Sequence, residues 1–123
     1  MTESEHDFVK TNLLIEGLQD YLSVCEVHGA FFNGEANKDV PISDVQRKTL
    51  GMIRELLSEE LVVAGATSRR DGFIPSELPL AAVMAEIEEA YLGNFEDPWA
   101  WRYVFWFVLT EKGEKLALKL YHE

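Results

Sequence analysis

Three histidines, one cysteine and a block of carboxylates interleaved with aromatic rings are the residues here whose chemistry could carry a function. His6, His28 and His122 stand far apart, and no Gly-rich phosphate loop, metal-ligand spacing or serine elbow accompanies them. Proton transfer and metal binding need several such groups to converge. The expectation is therefore no catalytic residue, no metal, no cofactor and no enzymatic activity. Cys25 falls on the apolar face of a predicted helix, where a thiol packs rather than reacts. Paired glutamates can do acid–base work, but on a helix surface they are ordinarily just solvated.

The stretch EIEEAYLGNFEDPWAW, residues 86–101, carries a different kind of chemistry. Its carboxylates Glu86, Glu88, Glu89, Glu96 and Asp97 flank Tyr91, Phe95, Trp99 and Trp101. Aromatic anchors with an acidic rim are how a surface for a basic protein partner is built. The competing reading is that the same rings close the core, since Trp and Phe are mostly buried. A separate constellation is basic. Arg47 and Arg54 are seven residues apart and share a helical face with Lys48 beside them, and Arg69 and Arg70 follow a predicted strand. Such a set could grip phosphates. Asp44, Glu55, Glu59 and Glu60 interleave with it, which makes nucleic acid the lesser expectation, because phosphate contacts dominate that affinity.

Charge distribution sharpens the choice. The 123 residues carry a formal charge of -11. Residues 1–42 hold 8 acids and 2 bases, residues 43–70 hold 4 and 5, residues 71–101 hold 7 and none, and residues 102–123 hold 3 and 4. A field of this sign repels phosphates and anionic lipids and attracts basic proteins. No apolar run reaches the roughly 18 residues that span a bilayer, and MTESEHDF lacks a signal-peptide pattern. One cysteine cannot form an internal disulfide. A cytoplasmic chain without a membrane partner is expected.

The elements that must position these groups are read from periodicity. Residues 7–28 predict one long helix capped by Asp7, with Leu14, Leu18, Tyr21, Leu22 and Cys25 on its apolar face and Gly29 as its stop. Residues 29–42 predict a loop with one short strand near Val40 to Ile42. Ser43-Asp-Val-Gln46 is a capping box for a second helix, buried through Val45, Thr49, Ile53 and Leu56 or Leu57. LVVAGAT from Leu61 predicts a strand, SRRDGFIPSELP a turn, and Ser76 or a neighbour caps a third helix with Pro79 in its first turn and Gly93 as its end. Leu80, Val83 or Met84, Ile87 and Tyr91 line one side of that helix, and Glu86 and Glu89 the other. Arg102 to Leu109 predicts a strand whose two faces both want cover, and Thr110 caps a last helix docked through Leu116, Ala117 and Leu120. No repeat or long linker interrupts residues 1–123, so a single domain is expected.

RELLSEELVVAGA (54–66) and FVLTEKGEKLA (107–117) resemble the winged-helix superfamily. Residues 107–117 are similar to the Leu-Thr-x-x-Gly-x-x-Leu segment that follows the wing in repressors of the multiple-antibiotic-resistance and PadR types. The resemblance implies an α+β, mainly helical, winged-helix-like domain with a two-stranded antiparallel hairpin. Ser43 to Ser58 would be the recognition helix and residues 61–109 the wing, with a helix inserted in it. The first and last helices would pack across the one between them that opens at Ser43. The family's DNA-reading parts are altered: residues 29–42 are too short and turn-rich for the helix that precedes a recognition helix, and the wing holds an acidic helix. The leading expectation is a non-catalytic protein that binds a basic partner. Its concrete form is an immunity or antitoxin protein neutralising a toxin such as a nuclease, since bacterial polymorphic-toxin immunity proteins are similar in size and acidity. The alternative is a winged-helix transcriptional regulator binding DNA as a homodimer.

Overall fold

A computed structural model of the chain describes residues 4–32 and 40–123. Its first helix, α1 (Glu5–Gly17), begins at Ser4, whose hydroxyl accepts the Asp7 amide at 3.1 Å. The cap is thus Ser4, and Asp7 lies inside the helix. The expected long helix over 7–28 does not form as one piece. The Asp20 carboxylate accepts the Tyr21 amide at 2.7 Å, and Leu22–Ser23 extend as strand β1. Ser23 then accepts the Glu26 amide at 3.3 Å and opens a separate helix, α2 (Val24–Phe32), in which Gly29 is an interior residue. The apolar spacing continues across the break, which is why periodicity alone joins the two. Residues 33–39 of the expected loop lie outside the described residues; Ile42 is helical rather than strand.

Helix α3 (Ile42–Ser58) buries Val45, Thr49, Met52, Ile53 and Leu56, the expected stripe with Met52 added. It starts one residue before Ser43, at a Pro41 cap with no side-chain bond, so the expected capping box is not used. At its other end Leu61 N donates to Leu56 O and Glu60 N to Leu57 O, with Glu60 at φ 59°. This is a Schellman closure with glutamate in the left-handed position that glycine favours. Strands β2 (Val62–Ser68) and β3 (Gly72–Pro75) pair around a tip at residues 69–71, where Gly72 takes φ 68°. Helix α4 (Leu80–Gly93) starts from Pro79, not Ser76, and buries Val83, Met84, Ile87 and Tyr91. A short helix α5 (Pro98–Trp101) precedes strand β4 (Trp106–Leu109), so only the latter half of the expected strand is extended. Helix α6 (Glu111–Tyr121) follows, capped as expected by Thr110, whose hydroxyl accepts the Gly113 amide at 3.0 Å.

The architecture is α+β and antiparallel, but the sheet has four strands in the order β1-β4-β2-β3, rather than an isolated two-stranded hairpin. β2 pairs with β3 on one side and with β4 on the other. In register, Val62 faces Leu109 and Ala64 faces Phe107, and these side chains point to the core. α1 packs on α6, α2 on α3, and α3 on α4. Between α1 and α3, Lys10 Nζ bridges Glu55 at 2.6 Å and Glu59 at 2.9 Å, and His6 Nε2 meets Glu55 at 2.8 Å. Among the described residues no helix is long and apolar enough to cross a membrane.

The tightest junction joins α6 to the start of β2. A Cβ on Gly113 would coincide with the Leu61 carbonyl oxygen, while Thr110 donates its amide to that oxygen at 3.0 Å and its hydroxyl to Glu60 O at 2.6 Å. Two substitutions should therefore move stability in opposite directions. Gly113→Ala must displace backbone, and chemical denaturation is expected to show a loss of about 3 kcal/mol or more, in the overpacking range or above. Glu60→Gly relieves the left-handed strain and should gain about 1 kcal/mol.

Candidate protein-binding surface

Two sets of rings stand out, an inner box with Phe32 at its exposed edge and an outer ladder. In the box, the His28 ring from α2 lies among Phe32, Tyr91, Phe95 and Trp101, at centroid distances of 5.2 to 5.7 Å. Phe95 stacks on Trp101 at 5.2 Å, and the indole of Trp101 donates to the Phe95 carbonyl at 3.0 Å. His28 Nδ1 and the Tyr91 hydroxyl share a hydrogen bond of 2.6 Å. Burial lowers the His28 pKa below 6.5, helped by the nearby Arg102 charge. Burial also pushes the Tyr91 hydroxyl up to about 12, against a smaller opposing effect of its hydrogen bond with Thr49. The box is a neutral, polar-centred plug that ties α2 to α4 and α5.

The ladder lies on the opposite face of the sheet. Strand alternation turns Phe107 and Leu109 inward and leaves Trp106 and Val108 half-buried on the outside. Trp106 pairs in register with Ser23 on one neighbour and Gly65 on the other. Gly65 carries no side chain because the Phe73 ring and the Ile74 carbonyl fill its place. Phe73 meets Tyr21 at 5.7 Å, Tyr21 meets Trp106 at 6.4 Å, Trp106 stacks on Tyr103 at 5.1 Å and 13°, and Tyr103 meets Trp99 at 6.4 Å. Five rings thus touch in succession, with Trp99 78% exposed, Tyr103 44% and Tyr21 36%. Water-facing rings in contact with one another form an apolar patch of the kind that marks an interaction site.

Charge around the ladder is negative. Asp20 precedes Tyr21, Asp71 stands two residues before Phe73, and Glu96 and Asp97 precede Trp99; all four are exposed. Glu26 is raised by burial and by the neighbouring carboxylates of Glu16 and Asp20, so acidic groups crowd the end of α1 as well. Among the described residues none of the seven acids in 71–101 enters an ion pair, whereas Glu5, Asp7, Asp44, Glu55, Glu59 and Glu111 all do.

Of the expected partner-binding set, Glu86, Glu89, Glu96, Asp97 and Trp99 are exposed, and Glu88 is half-buried. Tyr91 and Trp101, at 0% and 4% exposure, are core and offer no surface to a partner, while Phe95 is partly buried against them. Sequence reasoning missed Tyr21, Phe73, Tyr103 and Trp106. Alternation in β4 is the available signal for Trp106; helical spacing places Tyr21 on a helix face that does not exist. Of the bases, Arg47, Arg54, Arg69 and Arg70 are exposed. Arg47 lies 3.5 Å from Asp44, and Lys48 is drawn 2.6 Å from Glu5 on α1. Among the described residues no group of His, Cys, Asp and Glu could hold a metal ion.

The two ring sets predict opposite mutational behaviour. Trp101→Ala should cost about 3–5 kcal/mol, whereas Trp99→Ala should stay within about 0.5 kcal/mol of the parent, both read by urea denaturation. The histidines predict a pH signature. A histidine with its folded pKa below 6.5 favours folding when neutral, so the His28 contribution is intact above pH 6.5 and is lost as pH falls below it. His6, raised first by its hydrogen bond to Asp7 and then by Glu55, contributes below pH 6.5 and loses that contribution as pH rises through its folded pKa. Between pH 7.5 and 5.5, His28→Gln should flatten the acid-side decline in stability and His6→Gln should steepen it. Comparison of the chain with protein-family models, curated proteins and solved structures finds no match.

Proposed function

We propose that this chain is a non-catalytic, acidic protein-binding domain that engages a basic protein partner. The observation that carries the reading is the exposed aromatic ladder with unpaired carboxylates beside it. Burial of rings such as Trp99 and Tyr103 would supply affinity, and the charge of -11 would speed association and make it sensitive to salt. A cationic active site is the natural target of such a surface. The concrete form is therefore an immunity or antitoxin protein that occludes a basic toxin, such as a nuclease, in the cytoplasm of a bacterium.

A winged-helix-like arrangement is the scaffold we infer. Helix α3 running straight into β2, and β4 running into the Thr110-capped α6, support that inference. On this inference helix α2 would stand before α3, the recognition-helix equivalent, and β3, α4 and α5 lie between β2 and β4 in the chain. The same observation favours another reading, a dimeric DNA-binding regulator. Arg47 and Arg54 lie on the outer face of α3, and Arg69 and Arg70 at a hairpin tip. Against it stand the paired state of Lys48 and the acid block, both of which oppose phosphates.

One double substitution separates the readings by sign. Arg69→Glu with Arg70→Glu removes like-charge repulsion from a basic protein, so affinity for the partner retained from the host should rise a few-fold. On the DNA reading the same change should abolish a low-salt shift of duplex DNA. Replacing Glu86, Glu88, Glu89, Glu96 and Asp97 with Lys should weaken the protein complex by about tenfold or more at low ionic strength. Unchanged affinity in that variant contradicts the proposal.

A further inference from the structure

Resting on the acidic protein-binding reading, we propose that the outer ladder seats an extended, arginine-bearing segment of the partner, its guanidinium groups packing on the exposed rings. The ring steps, from 5.1 to 6.4 Å along Phe73, Tyr21, Trp106, Tyr103 and Trp99, set the first constraint. In an extended strand, side chains on one face recur every second residue, about 6.5–7 Å apart. Alternate side chains of an extended segment can therefore reach neighbouring rings such as Trp99 and Tyr103, 6.4 Å apart.

Chemistry selects what those side chains are. Exposed aromatic rings attract cations, and arginine can stack on them as a plane where lysine presents a hydrated point charge. The exposed carboxylates Asp97 and Glu96 at the Trp99 end, and Asp20 and Asp71 at the other, complement guanidinium groups and repel phosphates. A nucleic acid would stack equally well on the rings, but its backbone would meet these acids. Arg69 and Arg70 sit beyond Asp71 at the hairpin tip and oppose a cation there. The segment's arginines should therefore gather toward Trp99, beside the exposed carboxylates of Glu96 and Asp97.

The probes are a dye-labelled nine-residue peptide with arginine at alternate positions, its lysine counterpart, and a single-stranded oligonucleotide. Anisotropy is read at low salt on the full chain and on Trp99→Ala/Tyr103→Ala. Both substituted rings are exposed, so an unchanged thermal melt verifies folding, and Trp99→Phe/Tyr103→Phe should restore binding. The proposal expects the arginine peptide to bind several-fold tighter than the lysine peptide. It further expects the double alanine variant to weaken the arginine peptide by about tenfold while barely affecting the lysine one. Equal binding of the two peptides, insensitive to the ring substitutions but removed by reversing the five carboxylates, overturns the ladder proposal and leaves the acidic-surface reading standing. Absence of binding to either peptide overturns both. Preference for the oligonucleotide, or self-association of the chain that the ring substitutions abolish, overturns the proposal in favour of nucleic acid or another copy of the chain.

Discussion

The carbonyl oxygen of Leu61 occupies the space where Gly113 would carry a side chain, and much of the fold depends on that contact. It lets the first turn of α6 lie directly on the start of β2. Thr110 then bonds Glu60, Leu61 and Gly113 at once, and Lys112 donates to the Glu59 carbonyl at 2.8 Å. The end of α3, the first residues of β2 and the end of β4 are gathered at one point. With α6 fixed there, α1 packs on it, and Gly17 allows α1 to approach Leu109 on β4. A Cβ at Gly17 would meet only a movable leucine side chain, so that approach can relax, whereas the one at Gly113 meets backbone and cannot.

That junction commits one face of the sheet to the helices and leaves Trp106 and Val108 half-buried on the other. Register then sorts the rings. Phe107 goes inward because it shares a side with Leu22 and Ala64, and Trp106, one residue earlier, must go outward. The inserted helices continue the division: within α5, Trp101 closes the box around His28 while Trp99, two residues before it, faces water. The inner set finds every partner it needs, including hydrogen bonds from Trp101 and between His28 and Tyr91. The outer set finds its ring contacts among its own members, with Phe73 lying over Gly65. Packing energy explains the inner set; the outer one gains little for folding from rings left in water, which is the physical ground for reading it as a surface made for contact.

Elements with strong local signals were legible in the sequence. The α3 stripe, the strand after it, the Gly93 end of α4 and the Thr110 cap follow from spacing and capping chemistry, and all four are found. The break between α1 and α2 was not legible. Apolar spacing carries through Leu18 and Leu22 and masks the local bonds of Asp20 and Ser23, and the pairing of β1 with β4 that holds the break open is tertiary. This one break misplaces Tyr21 and hides the helix that precedes α3. The aromatic–acidic stretch was legible, but its rings could not be sorted by type alone. Whether Trp99 or Trp101 faces the core depends on a four-residue helix whose direction is set by neighbours distant in sequence.

The claim on which the functional account rests is the division of the rings, and the three tryptophans report it directly. With 5-fluorotryptophan incorporated and each signal assigned by single substitution to phenylalanine, a soluble paramagnetic agent measures exposure in solution. The account predicts strong broadening of Trp99, intermediate broadening of Trp106 and a protected signal for Trp101. A Trp101 signal as accessible as that of Trp99, or a Trp99 signal as protected as that of Trp101, would contradict it.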